Sequence, residues 1–258
     1  MIPSKPKVFI TGASSGIGAA LAAHYAREGA VLGLCARRLE ATQALLESLR
    51  TAGTCYRVDV TDAASLQAAA ADFSRRYGVP DIVIANAGIG AGALTENAED
   101  LPVFRAIMDT NVFGMVSTFH PFLGAMRDRA NGTLVGIASV AGFRGLPGGG
   151  AYSASKAAAI TYLESLRVEL HGSGVSVVTI CPGYIRTPMT AKNRYRMPFL
   201  LDADEAARRM ARAITARRRF AVIPWQMALV GIVLRRLPRW LYDRLAAGAP
   251  RKARGLSQ

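Results

Sequence analysis

Residues 8–18 read Val-Phe-Ile-Thr-Gly-Ala-Ser-Ser-Gly-Ile-Gly, and this stretch decides the fold of the chain. Three apolar residues lead into a loop that contains three glycines, and a run rich in Ala and Leu follows to about Glu28. The pattern predicts a strand, a glycine loop and a helix. Gly12 permits the tight turn, Gly16 lets backbone approach a ligand, and Gly18 lets the helix pack close to the strand.

The glycine loop is predicted to bind the phosphates of a dinucleotide. Free backbone N–H groups at the start of a helix favour a bound anion. Because the loop stands at the front of a strand–helix–strand pattern, we prefer this interpretation to an ordinary strand-to-helix turn. The residues expected to contact the dinucleotide are Thr11, Gly12, Ser14, Ser15, Gly16, Ile17 and Gly18.

The second predicted strand, at 31–35, ends at Ala36 and is followed by Arg37 and Arg38. A strand that binds NAD usually ends in Asp or Glu, which holds the ribose hydroxyls. Here no carboxylate is present to repel a 2′-phosphate, and guanidinium groups bind phosphate through paired hydrogen bonds. The sequence therefore predicts NADP(H) rather than NAD(H), with Arg37 the better candidate. The alternative is that both arginines are solvated charges at a helix start.

Tyr152 and Lys156 lie four residues apart, in Ala151-Tyr-Ser-Ala-Ser-Lys156. On a helix this spacing puts both side chains on one face. A nearby ammonium favours phenolate and lowers the pKa of a tyrosine, normally about 10, toward neutrality. A tyrosine tuned in this way can pass a proton to or from an alcohol oxygen.

From about residue 6 to residue 190 the chain resembles the short-chain dehydrogenase/reductase family. The resemblance implies an oxidoreductase that interconverts a carbonyl and an alcohol by hydride transfer with NADP(H). Ala85 stands where the family often has a further asparagine, a departure that affects no catalytic residue. The motifs stand in the family's order: Thr11 to Gly18, Asp59-Val60, Asn86-Ala87-Gly88, Asn111, Ser139, Tyr152 with Lys156, Pro182-Gly183, and Thr187.

The resemblance implies four catalytic residues. Ser139 would hydrogen-bond the substrate carbonyl, and Tyr152 would deliver the proton. Lys156 would also bind the nicotinamide ribose. Asn111 would bend its helix and hold a water that links the lysine to solvent.

The resemblance also implies the remaining cofactor contacts. Asp59 would accept a hydrogen bond from the adenine amino group, with the Val60 backbone beside it. Residues 86–88 would line the ribose. Residues 182–183 would run past the nicotinamide, and Thr187 would bond its carboxamide.

Strands and helices alternate along the 258 residues, which predicts a doubly wound α/β fold of the Rossmann type. The ligand is then expected at the carboxyl edge of a parallel sheet. We expect one catalytic domain over 1–224, with a substrate loop at 186–200, and a basic, apolar extension over 225–258. Strands are predicted at 7–10, 31–35, 54–58, 81–85, 132–138, 175–181 and 219–223, and helices near 15–28, 39–52, 63–77, 102–129, 151–172 and 202–216.

The cysteines predict a reducing compartment and no metal site. Cys35, Cys55 and Cys181 fall in predicted strands, and they have neither metal-ligand spacing nor an even count. The first strand begins within a few residues of Met1, so we expect no signal peptide and a cytoplasmic protein.

Positive charge is concentrated near the C-terminus: residues 192–258 hold 16 of the 32 Lys and Arg but 4 of the 18 Asp and Glu. No nucleic-acid-binding module accompanies it, so no nucleic acid partner is expected. The apolar run Met227 to Leu234 is short of the roughly 20 residues that span a bilayer. Trp225, Trp240 and four nearby arginines suit an anionic membrane surface on the inner face. The alternative is that the extension packs on its own core or on a partner subunit.

The sequence also leads to expectations about the substrate, the assembly and alternative functions. The apolar extension and loop favour a lipophilic ketone, aldehyde or secondary alcohol as substrate. The resemblance implies a homodimer or homotetramer built on the helices near 102–129 and 151–172. The alternative function is a non-catalytic NADP(H)-binding sensor or scaffold at a membrane or protein partner. An epimerase or dehydratase on the same scaffold is a third.

Overall fold

Strands and helices alternate as the sequence predicts, in a computed structural model that describes residues 5–191, 193, 195–248 and 254–255. The strands in this part of the chain are β1 Lys7–Thr11, β2 Val31–Ala36, β3 Gly53–Arg57, β4 Ile82–Ala85, β5 Gly132–Ile137, β6 Val175–Pro182, β7 Ile185–Arg186, β8 Leu201–Asp202 and β9 Phe220–Ile223. The helices are α1 Gly16–Arg27, α2 Leu39–Leu49, α3 Ala63–Tyr77, α4 Leu101–Met108, α5 Gly114–Asp128, α6 Gly150–Glu169, α7 Pro188–Ala191, α8 Ala203–Thr215, α9 Gln226–Arg236 and α10 Arg239–Ala246.

Seven parallel strands form the main sheet, in the order β3-β2-β1-β4-β5-β6-β9. The order reverses between β1 and β4, where a doubly wound sheet opens a crevice at the carboxyl ends of its strands. The two short strands β7 and β8 pair with each other beside this edge. The predicted doubly wound α/β fold is confirmed.

Helices cover both faces of the sheet, and the side chains of β1 show how the two cores are separated. Val8 and Ile10 belong to the core under α1 and α8. Phe9 points to the opposite face, where its ring lies 5.5 Å from that of Phe73 and 4.8 Å from that of Phe122. Strand side chains alternate between faces, so one strand anchors both layers.

The glycine loop is held where β1 meets α1. A Cβ on Gly18 would lie 2.3 Å from the carbonyl oxygen of Gly12, so no larger residue fits without displacing backbone. The Asn86 amide donates to the carbonyl oxygens of Thr11 and Gly12 at 3.0 and 3.1 Å. The end of β4 is thereby fastened to the loop that follows β1.

The helix predicted over 102–129 is present, and it contains a π-helical turn at Asp109–Phe113 between α4 and α5. Asn111 lies in this turn and exchanges two hydrogen bonds with the backbone of Ile89, at 2.8 and 2.9 Å. Such widened turns often occur at functional sites. The π-helical turn lies at the place where the family resemblance implies a bend at Asn111.

The extension continues as α9 and α10, and Pro238 between them is the N-cap residue of α10. One side of α9 packs on the domain: a Cβ on Gly231 would lie 2.3 Å from the Phe143 ring, and Met227 contacts Gly183. The other side is exposed. Within the described residues, no helix has the length and apolar character needed to cross a bilayer.

Arg144 ties the extension to the segment after Ser139. Its guanidinium donates to the carbonyl oxygens of Leu234 and Leu237 at 2.7 and 3.0 Å, which satisfies the end of α9. The same group lies 4.2 Å from the ring centroid of Tyr242, whose hydroxyl donates to the carbonyl of Gly145. The inward side of the extension therefore packs on the chain's own domain.

Adding one methyl group at Gly18 should damage the loop. We expect Gly18→Ala to lower the free energy of unfolding by about 1–3 kcal/mol, because the new Cβ overlaps the Gly12 carbonyl. Gly124→Ala is the matched control, since nothing lies within 4 Å of a Cβ there. That change should stabilise α5 by about 0.5–1 kcal/mol. Urea unfolding measures both, and equal effects would contradict the close contact.

Candidate active site

A cleft of about 550 Å³ lies at the carboxyl edge of the sheet. It begins at the glycine loop and ends between Ser139 and the short helix α7. Most of the residues predicted from the sequence line it: Gly12, Ser14, Ser15, Gly16, Ile17, Arg37, Arg38, Asp59, Val60, Asn86, Ala87, Gly88, Ser139, Tyr152, Lys156, Pro182, Gly183 and Thr187.

Three predicted site residues do not line the cleft and instead support it. Gly18 lies against the backbone of Gly12, as described above. The buried Thr11 hydroxyl donates to the Ile84 carbonyl at 3.4 Å and accepts from the Asn86 N–H at 3.2 Å. Asn111 is buried in the π-helical turn. Thr11 and Gly18 help to join β1, β4 and α1.

The loop and the segment after β6 form a narrow cradle. Gly16 has φ +57°, and a Cβ there would lie 3.1 Å from Cγ2 of Thr187. Only backbone fits between these segments, so a dinucleotide phosphate can approach the N–H groups at the start of α1. Thr187 is fixed by Thr190, whose hydroxyl accepts from the Thr187 N–H at 3.0 Å. These features fit a dinucleotide.

Two exposed arginines stand at the glycine-loop end of the cleft. Both Arg37 and Arg38 line it, and the Arg38 guanidinium donates to the Ser14 hydroxyl at 3.3 Å. The sequence favours Arg37, whereas the structure puts Arg38 in contact with the glycine loop. Asp59 is held by Thr61, whose N–H and hydroxyl donate to it at 3.0 and 2.8 Å.

The candidate catalytic side chains meet at the other end. Ser139 follows β5 and caps the next turn, accepting from the Ala141 N–H at 3.1 Å. That turn packs against α6 so closely that a Cβ on Gly142 would lie 2.7 Å from the Lys156 backbone. Tyr152 and Lys156 both lie on α6, and the Lys156 nitrogen is 5.8 Å from the Tyr152 ring centroid. The structure thus brings the three residues together.

Lys156 is a buried cation, with 4% of its side chain surface exposed. Its ammonium donates to the carbonyl oxygen of Ile137, at the end of β5, at 2.8 Å. Burial lowers the pKa of Lys156 to about 8. At neutral pH the group is a charged donor held at the cleft floor.

Burial raises the pKa of the Tyr152 phenol, and a hydrogen bond with the Ser139 side chain opposes that rise. The direction is opposite to the one predicted from the Tyr-x-x-x-Lys spacing. The reason is that burial disfavours the charged phenolate, while the Lys156 ammonium donates its hydrogen bond to the Ile137 carbonyl. Tyr152 is therefore a protonated donor at neutral pH.

Asn111 links these elements. Its amide nitrogen donates to the Ser155 hydroxyl at 2.9 Å, and Ser155 donates to the Tyr152 carbonyl at 2.8 Å. A Cβ on Gly88 would lie 3.1 Å from the Asn111 oxygen and 3.6 Å from the Lys156 nitrogen. The π-helical turn therefore lies beside Lys156, and its Asn111 is hydrogen-bonded to the first turns of α6 through Ser155.

The rest of the lining is mainly apolar. The sequence places Met189 in the substrate loop, and that residue does line the cleft. Ile89, Thr110 and Thr190 were not predicted, because no local motif distinguishes them. Within the predicted loop 186–200, Lys192 and Arg194 lie outside the described residues, as do 249–253 and 256–258 of the predicted extension.

The cleft lies at the carboxyl edge of a Rossmann-like sheet, and its lining is of the kind that binds a dinucleotide in oxidoreductases. Residues 6–197 match the family model for short chain dehydrogenases, and the chain belongs to this family. It is 41% identical over 242 residues to an uncharacterized oxidoreductase of Myxococcus xanthus, an alignment that covers 92% of this chain and 94% of the relative.

Two solved structures share the fold. A short-chain dehydrogenase from Streptomyces avermitilis has a TM-score of 0.80 at 28% identity, covering 89% of this chain and 93% of its own. An alcohol dehydrogenase from Thermococcus sibiricus, complexed with 5-hydroxy-NADP, has a TM-score of 0.73 at 27% identity, covering 84% and 94%. Membership of the short-chain dehydrogenase family thus rests on the family model and on the Myxococcus xanthus relative as well as on the fold.

The buried ammonium predicts a pH-dependent cost in stability. The folded-state pKa of Lys156, about 8, lies below its ordinary value of 10.5. Below pH 8 the folded protein keeps the positive charge of Lys156 buried, which lowers its stability. Between pH 8 and 10.5 the unfolded chain binds the extra proton, so stability recovers as pH rises.

Lys156→Met should therefore raise the free energy of unfolding at pH 7, on the order of 1–3 kcal/mol. The gain over wild type should shrink as pH rises through 8 and vanish near 10.5. Urea unfolding at several pH values measures it. A difference that is constant with pH would contradict a depressed lysine pKa.

Proposed function

We propose that the protein is an NADP(H)-dependent oxidoreductase that interconverts a carbonyl and an alcohol by hydride transfer. The supporting observation is the convergence of the Ser139 hydroxyl, the Tyr152 phenol and the buried Lys156 ammonium at one end of a dinucleotide-sized cleft. Asn111 supports the arrangement from the π-helical turn.

A bound nicotinamide would supply the hydride, which protein side chains cannot. As a carbonyl is reduced, its oxygen gains negative charge, and the hydroxyls of Ser139 and Tyr152 donate hydrogen bonds to it. Tyr152 then gives its proton to that oxygen. Lys156 stabilises the phenolate left behind, because an ammonium nearby favours the charged form. A tyrosine that is protonated at neutral pH suits the reductive direction.

NADP(H) is the proposed form of the cofactor. Arg37, Arg38 and Ser14 would hold its 2′-phosphate, and Ala36 offers no carboxylate to repel it. The glycine loop and Thr187 would hold the pyrophosphate and the nicotinamide end. The Thermococcus sibiricus relative is complexed with an NADP analogue, which supports this choice.

The substrate is proposed to be lipophilic. Ile89, Ile185 and Met189 line the end of the cleft near Ser139. Met189 and Phe199, in the loop at 186–200, are exposed large apolar residues. An apolar lining favours ketones, aldehydes or secondary alcohols with extended hydrocarbon parts.

The remaining proposals concern assembly and location. Exposed Phe113 and Val168 support a homodimer or homotetramer through the helical surfaces near 102–129 and 151–172. We infer a cytoplasmic protein, with residues 225–258 in contact with the inner face of a membrane. The alternative function, an NADP(H)-binding sensor or scaffold, predicts cofactor binding without turnover.

Removing the phenolic hydroxyl tests the catalytic assignment. Tyr152→Phe should lower kcat about 10²–10⁴-fold in NADPH oxidation with a responsive carbonyl substrate, because the proton donor is lost. The dissociation constant for NADPH should stay within about threefold, since the cofactor contacts remain. Tyr77→Phe is the control: that hydroxyl pairs with Thr54, away from the cleft. Wild-type protein that binds NADPH but reduces no carbonyl in a varied series would favour the sensor.

Cofactor choice is tested at the two arginines. The double variant Arg37→Ala, Arg38→Ala should weaken NADPH binding about 10–100-fold, the loss of charge-assisted bonds to one phosphate. NADH binding should change little and serves as the internal control. Calorimetric titration with both nucleotides measures this. Equal losses for NADPH and NADH would contradict a 2′-phosphate site.

A further inference from the structure

We propose that the outward side of α9 and α10 is a docking surface for an anionic lipid bilayer, placed so that the substrate end of the cleft is held next to the membrane. The docking claim stands on the surface itself; the link to substrate rests on the proposed function. The surface, called the outer face below, consists of Trp225, Leu229, Ile232, Val233, Trp240 and Leu245.

The outer face is apolar and exposed. Trp225, Leu229 and Val233 recur every four residues, so they line one side of α9. Trp225 is 63% exposed and Trp240 is 68% exposed. These are the two tryptophans of the chain, and both belong to this surface. Clustered exposed apolar groups mark interaction sites, and tryptophan prefers the boundary between water and lipid.

The charge around the outer face is predominantly positive. Arg236, Arg239 and Arg244 are exposed on the same two helices. Asp243 is the only acidic residue after Glu205 in the whole sequence. An amphipathic surface with arginines around tryptophan and leucine suits insertion into the headgroup layer of anionic lipid.

The same charge argues against a second copy of the chain as the occupant. A symmetric contact through this face would bring two arginine-rich surfaces together, and like charges across an interface are costly. The domain does not cover the outer face either, because it contacts the opposite side of α9 through Met227 and Gly231. An anionic bilayer satisfies both the apolar groups and the arginines.

The inner contacts place this surface at the substrate end of the cleft. Met227 touches Gly183, which lines the cleft, and Gly231 packs on Phe143, four residues after Ser139. Arg144 and Tyr242 fix the same segment. A protein docked through α9 and α10 would therefore have the catalytic end of its cleft close to the lipid, from which an apolar substrate can enter.

The experiment uses the full chain with vesicles of phosphatidylcholine alone and of phosphatidylcholine with phosphatidylglycerol. Co-sedimentation measures binding, and tryptophan emission reports whether Trp225 and Trp240 enter the lipid. One variant removes apolar groups (Leu229→Gln, Val233→Gln, Trp240→Gln), and another reverses charge (Arg239→Glu, Arg244→Glu). The matched controls are Leu101→Gln, exposed at the start of α4, and Arg50→Glu, exposed at the end of α2.

We expect wild type and both controls to bind the anionic vesicles with a blue shift in emission, and to lose binding as salt rises. Each outer-face variant should bind at least about 100-fold more weakly. Their turnover of a water-soluble carbonyl in vesicle-free solution should match wild type, because none of the altered side chains lines the cleft.

Several results would overturn the proposal. One is wild-type protein that stays in the supernatant with anionic vesicles. Another is equal loss of binding in the controls and the outer-face variants. A third is an outer-face variant that dissociates a wild-type oligomer in light scattering while vesicles bind neither protein, which would make this a subunit interface. A protein without reductase activity would refute the proposed function. The docking proposal could still be tested, because co-sedimentation does not depend on turnover.

Discussion

The ammonium of Lys156 is buried at the carboxyl edge of the sheet, and much of the surrounding structure is arranged to hold it there. The carbonyl oxygen of Ile137 accepts a hydrogen bond from it at the end of β5. Asn111 and Gly88 bring the π-helical turn and the end of β4 against it. A buried charge is tolerated only when it is hydrogen-bonded. The site accepts a cost in stability to keep a cation beside the phenol of Tyr152.

Close backbone contacts set the other limits on the site. Gly18 meets the carbonyl of Gly12, and Gly142 meets the backbone of α6, so neither position has room for a side chain. These contacts bring the ends of separate strands to a single cleft. The extension adds a further contact of this kind, through Gly231 and the ring of Phe143. The segment that follows Ser139 is thereby packed between α6 and α9.

Sequence patterns predict the fold well because each pattern reflects a local constraint. The strand–glycine loop–helix at 8–18 and the spacing of Tyr152 and Lys156 need no long-range information. The π-helical turn could not be predicted, since it depends on hydrogen bonds between Asn111 and Ile89, distant in the chain. The role of Arg144 in ending α9 is non-local for the same reason. The direction of the Tyr152 pKa shift depends on burial, which spacing does not reveal.

The proposed mechanism depends most on Tyr152 being a protonated donor whose acidity the site can change. The most direct measurement is the ultraviolet titration of tyrosinate in wild type minus Tyr152→Phe, with and without oxidised NADP. The mechanism predicts a pKa above the ordinary value of about 10 in the free protein. It predicts a lower pKa with the nucleotide bound, because a positive nicotinamide ring and Lys156 then stabilise the phenolate. A pKa that does not move when the nucleotide binds would contradict it.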